Sequence, residues 1–461
     1  MSNRAPGARR PRVYVHIGEP KTGTTFLQSA MWSNRARLAA QGILLPGYRR
    51  QDHNRASRDL REAPRADSDP AERWIGEWDV LVGQALRAPG AAVISDEVLV
   101  ACNPAQAERA VRSLHAAEVH IILVVRDFAT LLPAEWQETV KCRGTAGWDE
   151  WLGSVIEHSA DASRRWTRFW MLHDTMAILD MWSRHLPPDQ VHVITMPRQG
   201  PAGELWARFA SVLGIDPGRI DLSRAHANSS LGLPEAEFLR RMNLALPEDL
   251  PDWFYTRTIK RVLAHDVLDA RSRQARLVVP ADRAAWAREQ ADILVGGLRD
   301  SKFHIVGDLA ELVPPPGAGP QMPPSADPAL LSAAGPALLS AADPALVSAA
   351  GPGLLSAADP ALLSAAGPGL PPGDPPAEQL LDAAVAAAAA LAERLYRVTC
   401  AARPERDRPG GPRQMASQFK WRMLNGPWIK RVLRNSSHVP AVRRLRVVFW
   451  RILMRPARHA R

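Results

Sequence analysis

The chain has 461 residues, with 58 Lys or Arg against 48 Asp or Glu, a net charge of +10 and three cysteines. One hydrophobic core stops growing at roughly 250–300 residues, so a large domain plus an appendage is expected. The positive charge is not a nucleic-acid signature, because residues 413–461 hold 13 Lys or Arg and no Asp or Glu, leaving the 412 residues before them at −3. Cys102, Cys142 and Cys400 lie far apart and make no Cys-x-x-Cys pair, which argues against a disulfide framework or a zinc site, and no metal is expected. No apolar segment follows the basic residues at the start, so the chain reads as cytoplasmic rather than secreted.

Residues 1–11 read as a disordered N-terminus. Over 12–314, short β-branched apolar runs alternate with longer helical patterns. This is the signature of an α/β domain in which helices flank a parallel sheet. Strands are expected at 13–17, 92–94, 119–125 and 191–195, and helices near 24–39, 130–141, 171–185, 205–213, 235–244 and 284–298. The connections are long enough for the helical crossovers that parallel strands require. Residues 315–376 read as a linker: from Asp327, Asp-Pro-Ala-Leu-Leu-Ser-Ala-Ala alternates with Gly-Pro-Ala-Leu-Leu-Ser-Ala-Ala. A proline at every eighth position stops a helix before it offsets its nucleation cost, so an extended Pro/Ala segment is favoured over a packed repeat. An Ala-rich helix is expected over 377–402, and Asp382 and Glu393 make it a poor bilayer span. Over 403–461, Lys and Arg interleave with Trp421, Trp428, Phe449 and Trp450. That pattern suits a basic amphipathic tail on an anionic membrane surface or an acidic partner, with a solvated cationic tail as the plain alternative.

The most specific segment is Val13-Tyr-Val-His-Ile-Gly-Glu-Pro-Lys-Thr-Gly-Thr-Thr-Phe-Leu-Gln28, a strand, a loop bearing Gly18 and Gly23, and a helix onset. Glycines there let backbone N–H groups approach an anion at the helix N-terminus, as in a nucleotide-binding P-loop. A kinase or NTPase loop has lysine directly after the second glycine, whereas here Thr24 and Thr25 follow it and the lysine is Lys21. Lys21 can neutralise a leaving phosphate oxygen, while Thr22, Thr24, Thr25 and nearby N–H groups hold a phosphate.

The run Pro-Lys-x-Gly-Thr-Thr resembles the 5′-phosphosulfate loop of the sulfotransferases that use 3′-phosphoadenosine 5′-phosphosulfate (PAPS). Val125-Arg126-Asp127, the helix Pro133-Ala-Glu-Trp-Gln-Glu138, Asn228-Ser-Ser-Leu-Gly-Leu-Pro-Glu235 and Val306-Gly-Asp-Leu-Ala-Glu-Leu312 extend the resemblance to the bacterial branch of that family. It implies a P-loop-type fold, PAPS as co-substrate, and transfer of a sulfuryl group to a hydroxyl or amine of a glycan, lipid or secondary metabolite. It also implies that Arg126 grips the 3′ phosphate. The family's serine eight residues further on is Ala134 here, so Thr130 or Gln137 would supply that donor. Arg198, after another strand, is a further candidate for the nucleotide or a surface arginine.

Transfer requires a base near the acceptor. Glu97, in Ser95-Asp96-Glu97 after the strand at 92–94, is the first candidate, although Ser95 or Asp96 could simply cap a helix. His53, in a segment that could line an acceptor pocket, is the second, whereas His16 within the first strand reads as packed. Two other classes stay open: a P-loop kinase or NTPase, with Asp96 imitating a magnesium ligand, and a membrane-associated binding protein with a vestigial loop.

Overall fold

The computed structural model describes residues 10–63, 74–157, 163–198, 200, 203–225, 231–268, 277–314 and 396. Six strands, β1 (Arg12–His16), β2 (Ile43–Leu44), β3 (Ala91–Ser95), β4 (Glu118–Val125), β5 (Val191–Thr195) and β6 (His304–Val306), form one sheet in the order β2-β3-β1-β4-β5-β6. All adjacent pairs are parallel. Both faces are covered, which is why the strands are almost wholly apolar. Val13, Val15, Ile121 and Leu123 pack with Trp78, Leu131, Trp136 and Leu179 on one face, while Tyr14, Val93, Ile122 and Ile194 pack with Leu27, Met31, Trp206 and Phe209 on the other.

The first crossover contains α1 (Thr24–Ser33) and α2 (Arg35–Ala39). The single helix expected over 24–39 is interrupted at Asn34, whose side-chain amide donates to the carbonyls of Ala30 (2.9 Å) and Asp221 (2.8 Å). Competition of this kind is how Asn ends helices. Next come α3 (Arg50–Leu60), α4 (Glu77–Ala85), α5 (Pro104–Ser113), α6 (Phe128–Lys141), α7 (Trp148–Ile156), α8 (Ser163–His173) and α9 (Thr175–Ser183). The pattern expected over 171–185 is divided between α8 and α9, because Asp174 caps α9 by accepting from the Ala177 N–H at 3.0 Å. The fold continues through α10 (Glu204–Leu213), α11 (Leu233–Ala245), a π-helical stretch Tyr255–Leu268 and a long helix Ala281–Asp300.

After β1 the chain builds β2 and β3 on one side and then β4 to β6 on the other. Open α/β sheets bind ligands beyond the carboxyl ends of their strands at such a reversal. The segments that follow β1, β3 and β4 therefore share one edge. Among the described residues no helix is long and apolar enough to cross a membrane. Residues 1–9 of the expected disordered N-terminus, the expected linker and basic tail, the expected Ala-rich helix apart from Tyr396, and residues 228–230 of the 228–235 motif lie outside the described residues.

Toward the opposite ends of the strands, Tyr14, His120, His192 and His304 form a row across β1, β4, β5 and β6. His120 Nδ1 lies 2.9 Å from His192 Nε2, His192 Nδ1 lies 2.9 Å from His304 Nδ1, and His120 Nε2 lies 3.0 Å from Glu118 Oε1. One proton per contact satisfies the row when every ring is neutral. Burial, then repulsion from His120 and His304, pulls the His192 pKa down from 6.5 to about 4, and burial lowers His120 too. The folded state thus favours the neutral ring. This stability is whole above pH 6.5 and is lost as the pH falls toward 4. Denaturant midpoints should drop across that interval, and His192→Leu should flatten the drop; a variant with the wild-type slope would clear the histidine row of responsibility.

Candidate functional site

The loop between β1 and α1 turns on three residues with positive φ: Gly18 at 51°, Lys21 at 64° and Gly23 at 85°. Side chains that carry a Cβ rarely adopt this region, so Lys21 is held there by its surroundings. The Thr22 and Thr24 hydroxyls both donate to the Glu19 carbonyl, at 2.7 and 3.2 Å, closing the loop from within. Gly23 is the N-cap of α1 and offers no side-chain cap. Its helix N-terminus, with the positive end of the helix dipole, is suited to an anion. Thr25, half-buried, is the second residue of that helix.

Lys21 forms an ion pair with Glu138 of α6, and Glu138 also accepts from Lys260 of the π-helical stretch at 2.7 Å. Although burial works against it, the two ammonium groups hold the Glu138 carboxyl well below the usual range. The same attraction raises Lys260, which also lies 3.0 Å from Cys142 Sγ. The loop lysine is therefore aligned by a carboxylate that is itself fixed from a second side.

Arg126, at the carboxyl end of β4, donates to the Lys21 carbonyl (2.9 Å) and to Thr130 Oγ1 (2.8 Å). Asp127 caps α6 by accepting the Thr130 N–H at 3.0 Å, and its Oδ2 also receives the Thr130 hydroxyl at 2.5 Å. Arg126, Thr130 and the loop are thus one connected unit. Gln137 is turned inward, buried and donating to the Leu231 carbonyl at 2.8 Å, which leaves Thr130 as the partner of Arg126. Arg198 reaches the carbonyls of Ala310, Glu311 and Val313 and so fastens the turn Leu309–Leu312.

Glu97 begins a short 3-10 helix after β3 that Asp96 caps by accepting from the Val98 N–H at 2.9 Å. The Glu97 backbone is close to the loop, since a Cβ on Gly18 would lie 3.5 Å from the Glu97 Cα. Glu97 is exposed at the rim, yet enough protein surrounds its carboxyl for desolvation, then the Asp96 charge, to raise its pKa against the pull of Lys21 and Arg50. Asp96 is buried and its pKa is raised by burial, with Asn54, Arg50 and Arg58 of α3 opposing.

His53 also comes to this edge, but both ring nitrogens are engaged by backbone. Nε2 lies 2.8 Å from the Pro46 carbonyl and Nδ1 accepts the Ser95 N–H at 3.1 Å. Burial lowers its pKa. This ring braces the end of β3 against α3. His16 is fully buried, 2.8 Å from Ser95 Oγ, with its pKa lowered to about 4 by burial. A cavity of about 1160 Å³ opens at the other edge of the sheet, among Arg12, Gly90, Glu118 and Gln190. It is remote from the loop, and its Arg12 and Arg112 are already paired with Glu118 and Glu108.

Reading the sequence did not single out Glu138 as the partner of Lys21, or Lys260 at all. Glu138 closes the segment Pro133-Ala-Glu-Trp-Gln-Glu138, and its position three residues after Glu135 on one helix face is the available signal. No local signal marks Lys260.

No protein-family model matches the chain, and no curated protein does. Among solved structures it is similar to a crystal structure of a sulfotransferase from Alicyclobacillus acidocaldarius, at 16% identity over 57% of this chain and 99% of that one, with a TM-score of 0.32.

Proposed function

We propose that the chain is a sulfotransferase that takes a sulfuryl group from PAPS and delivers it to a hydroxyl or amine of an acceptor. The observation that carries this reading is the loop Gly18–Thr24 with Lys21 in its bend, beside Arg126 of β4 and Glu97 after β3. Cation, helix N-terminus and carboxylate stand at one sheet edge, in the combination that an anionic donor and a proton-losing acceptor require.

In this reading the backbone N–H groups of the α1 N-terminus and Thr25 hold the 5′ phosphate, while Thr22 and Thr24 close the loop from within, and Lys21 meets the bridging oxygen as its charge grows. Arg126 and Thr130 take the 3′ phosphate, with Ala134 withdrawing the serine expected there. Glu97 removes the acceptor proton. Its raised pKa makes it a stronger base than an ordinary carboxylate, so kcat/KM should fall as the pH drops through a value above the usual carboxylate range.

Calorimetric titration with adenosine 3′,5′-bisphosphate, adenosine 5′-phosphate and ATP tests the reading. The bisphosphate should bind best, and Arg126→Ala should weaken it while leaving adenosine 5′-phosphate little changed. ATP binding equal to the bisphosphate would favour an NTP site instead. Equal weakening of both monitored nucleotides would assign Arg126 to structure.

A further inference from the structure

Glu19 introduces a carboxylate into a loop built for an anion. Its backbone carbonyl receives the Thr22 and Thr24 hydroxyls, and its side chain turns into the core, where Oε1 accepts from Thr175 Oγ1 of α9 at 2.6 Å. His173, the last residue of α8, stands beyond it. Nδ1 lies 3.7 Å from Glu19 Oε2, and Nε2 lies 3.4 Å from Glu135 Oε1 of α6. The side chains of His173 and Glu19 are 0% and 2% exposed. The distances are long for hydrogen bonds, so the ring acts here chiefly as a charge between two carboxylates.

We propose that His173 is a positioning residue for the donor loop: set between Glu19 and Glu135, its imidazolium holds the Glu19 side chain in the core and cancels a negative charge that would otherwise repel an anionic donor. The inference rests on the reading of this loop as the donor site. Three further features support it. The two carboxylates raise the His173 pKa from 6.5 to about 9 even though burial opposes them, so the ring is charged at neutral pH. Removing one member of a buried charge set leaves the others uncompensated. Glu19 is also pinned at both ends, so displacement of its carboxylate pulls directly on the carbonyl that the loop closes around. Glu135 and Glu138 then give α6 two separate holds on the loop, one through His173 and one through Lys21.

The test compares wild type, His173→Gln, Glu19→Gln and the double variant, reading affinity for adenosine 3′,5′-bisphosphate by calorimetry and, with turnover, donor KM against kcat. His173→Gln should weaken the nucleotide about tenfold (~1.4 kcal/mol) and raise donor KM in step, with kcat at saturating donor much less affected. Adding Glu19→Gln should restore most of the affinity, because the uncompensated carboxylate within the loop is gone and only Glu135, on α6, remains. A His173→Gln protein that melts lower but binds as wild type would reduce the residue to a core packing role, and a double variant as weak as the single would overturn the charge argument. Should His173→Gln not fold, Glu19→Gln alone decides: affinity at or above wild type agrees, and a tenfold loss refutes. A wild type that binds no 3′-phosphorylated nucleotide is a different failure, which removes the donor reading and this inference with it.

Discussion

Replacing Lys21 with alanine is expected to lower kcat by about 10²–10³, the loss seen when one preorganised electrostatic donor is removed from a developing negative charge. The effect should fall on turnover rather than on binding of adenosine 3′,5′-bisphosphate, since that product nucleotide lacks the breaking bond. The ammonium's stabilisation increases only as the leaving oxygen gains charge. Lys21 is partly exposed at 21% and already directed by Glu138, which Lys260 holds from the other side. The variant thus removes an aligned group without opening the core. A loss confined to nucleotide affinity, with kcat intact, would end the proposed role.

Gly23→Ala is expected to be strongly damaging although it adds no charge. At φ 85° an added Cβ meets the left-handed penalty of about 1–2 kcal/mol. The same Cβ would stand 2.5 Å from Leu205 Cδ2, and Leu205 is buried in the core beneath α1. Overpacking of that kind costs about 1–3 kcal/mol. Either Leu205 or the first turn of α1 must give way, and the backbone strain at Gly23 remains, so nucleotide binding should weaken together with a fall in melting temperature of roughly 2–4 °C per kcal/mol. Gly83→Ala is the control, since Gly83 lies within α4 and a Cβ there meets nothing within 4 Å. It should be neutral or slightly stabilising. If Gly23→Ala binds the bisphosphate like the Gly83 control, the loop's close packing against α10 is not a requirement for the site.

Some of the site could be recognised in the sequence because its information is local. Gly18, Lys21, Gly23 and the threonines lie within eight residues, and a strand followed by a glycine loop and a helix is readable from period and turn chemistry. Arg126 and Glu97 follow strands that the apolar runs reveal, and parallel topology carries every such position to one edge. The two short strands β2 and β6, of two and three residues, were missed because alternation cannot register over so few positions. The breaks at Asn34 and Asp174 are set by individual hydrogen bonds that a hydrophobic period does not contain.

The sequence by itself determined the parallel α/β order, the glycine loop between the first strand and helix and which strand ends could present functional groups, since all of these follow from neighbours along the chain. Only the tertiary structure decided that Glu138 and Lys260, 122 residues apart, align Lys21. It also decided that backbone groups occupy both nitrogens of His53, that Gln137 faces inward, and that Glu19, Glu135 and His173 share one buried cluster. Charge compensation in a core depends on distance through space. Residues more than a hundred positions apart satisfy it without leaving any periodic trace in the sequence.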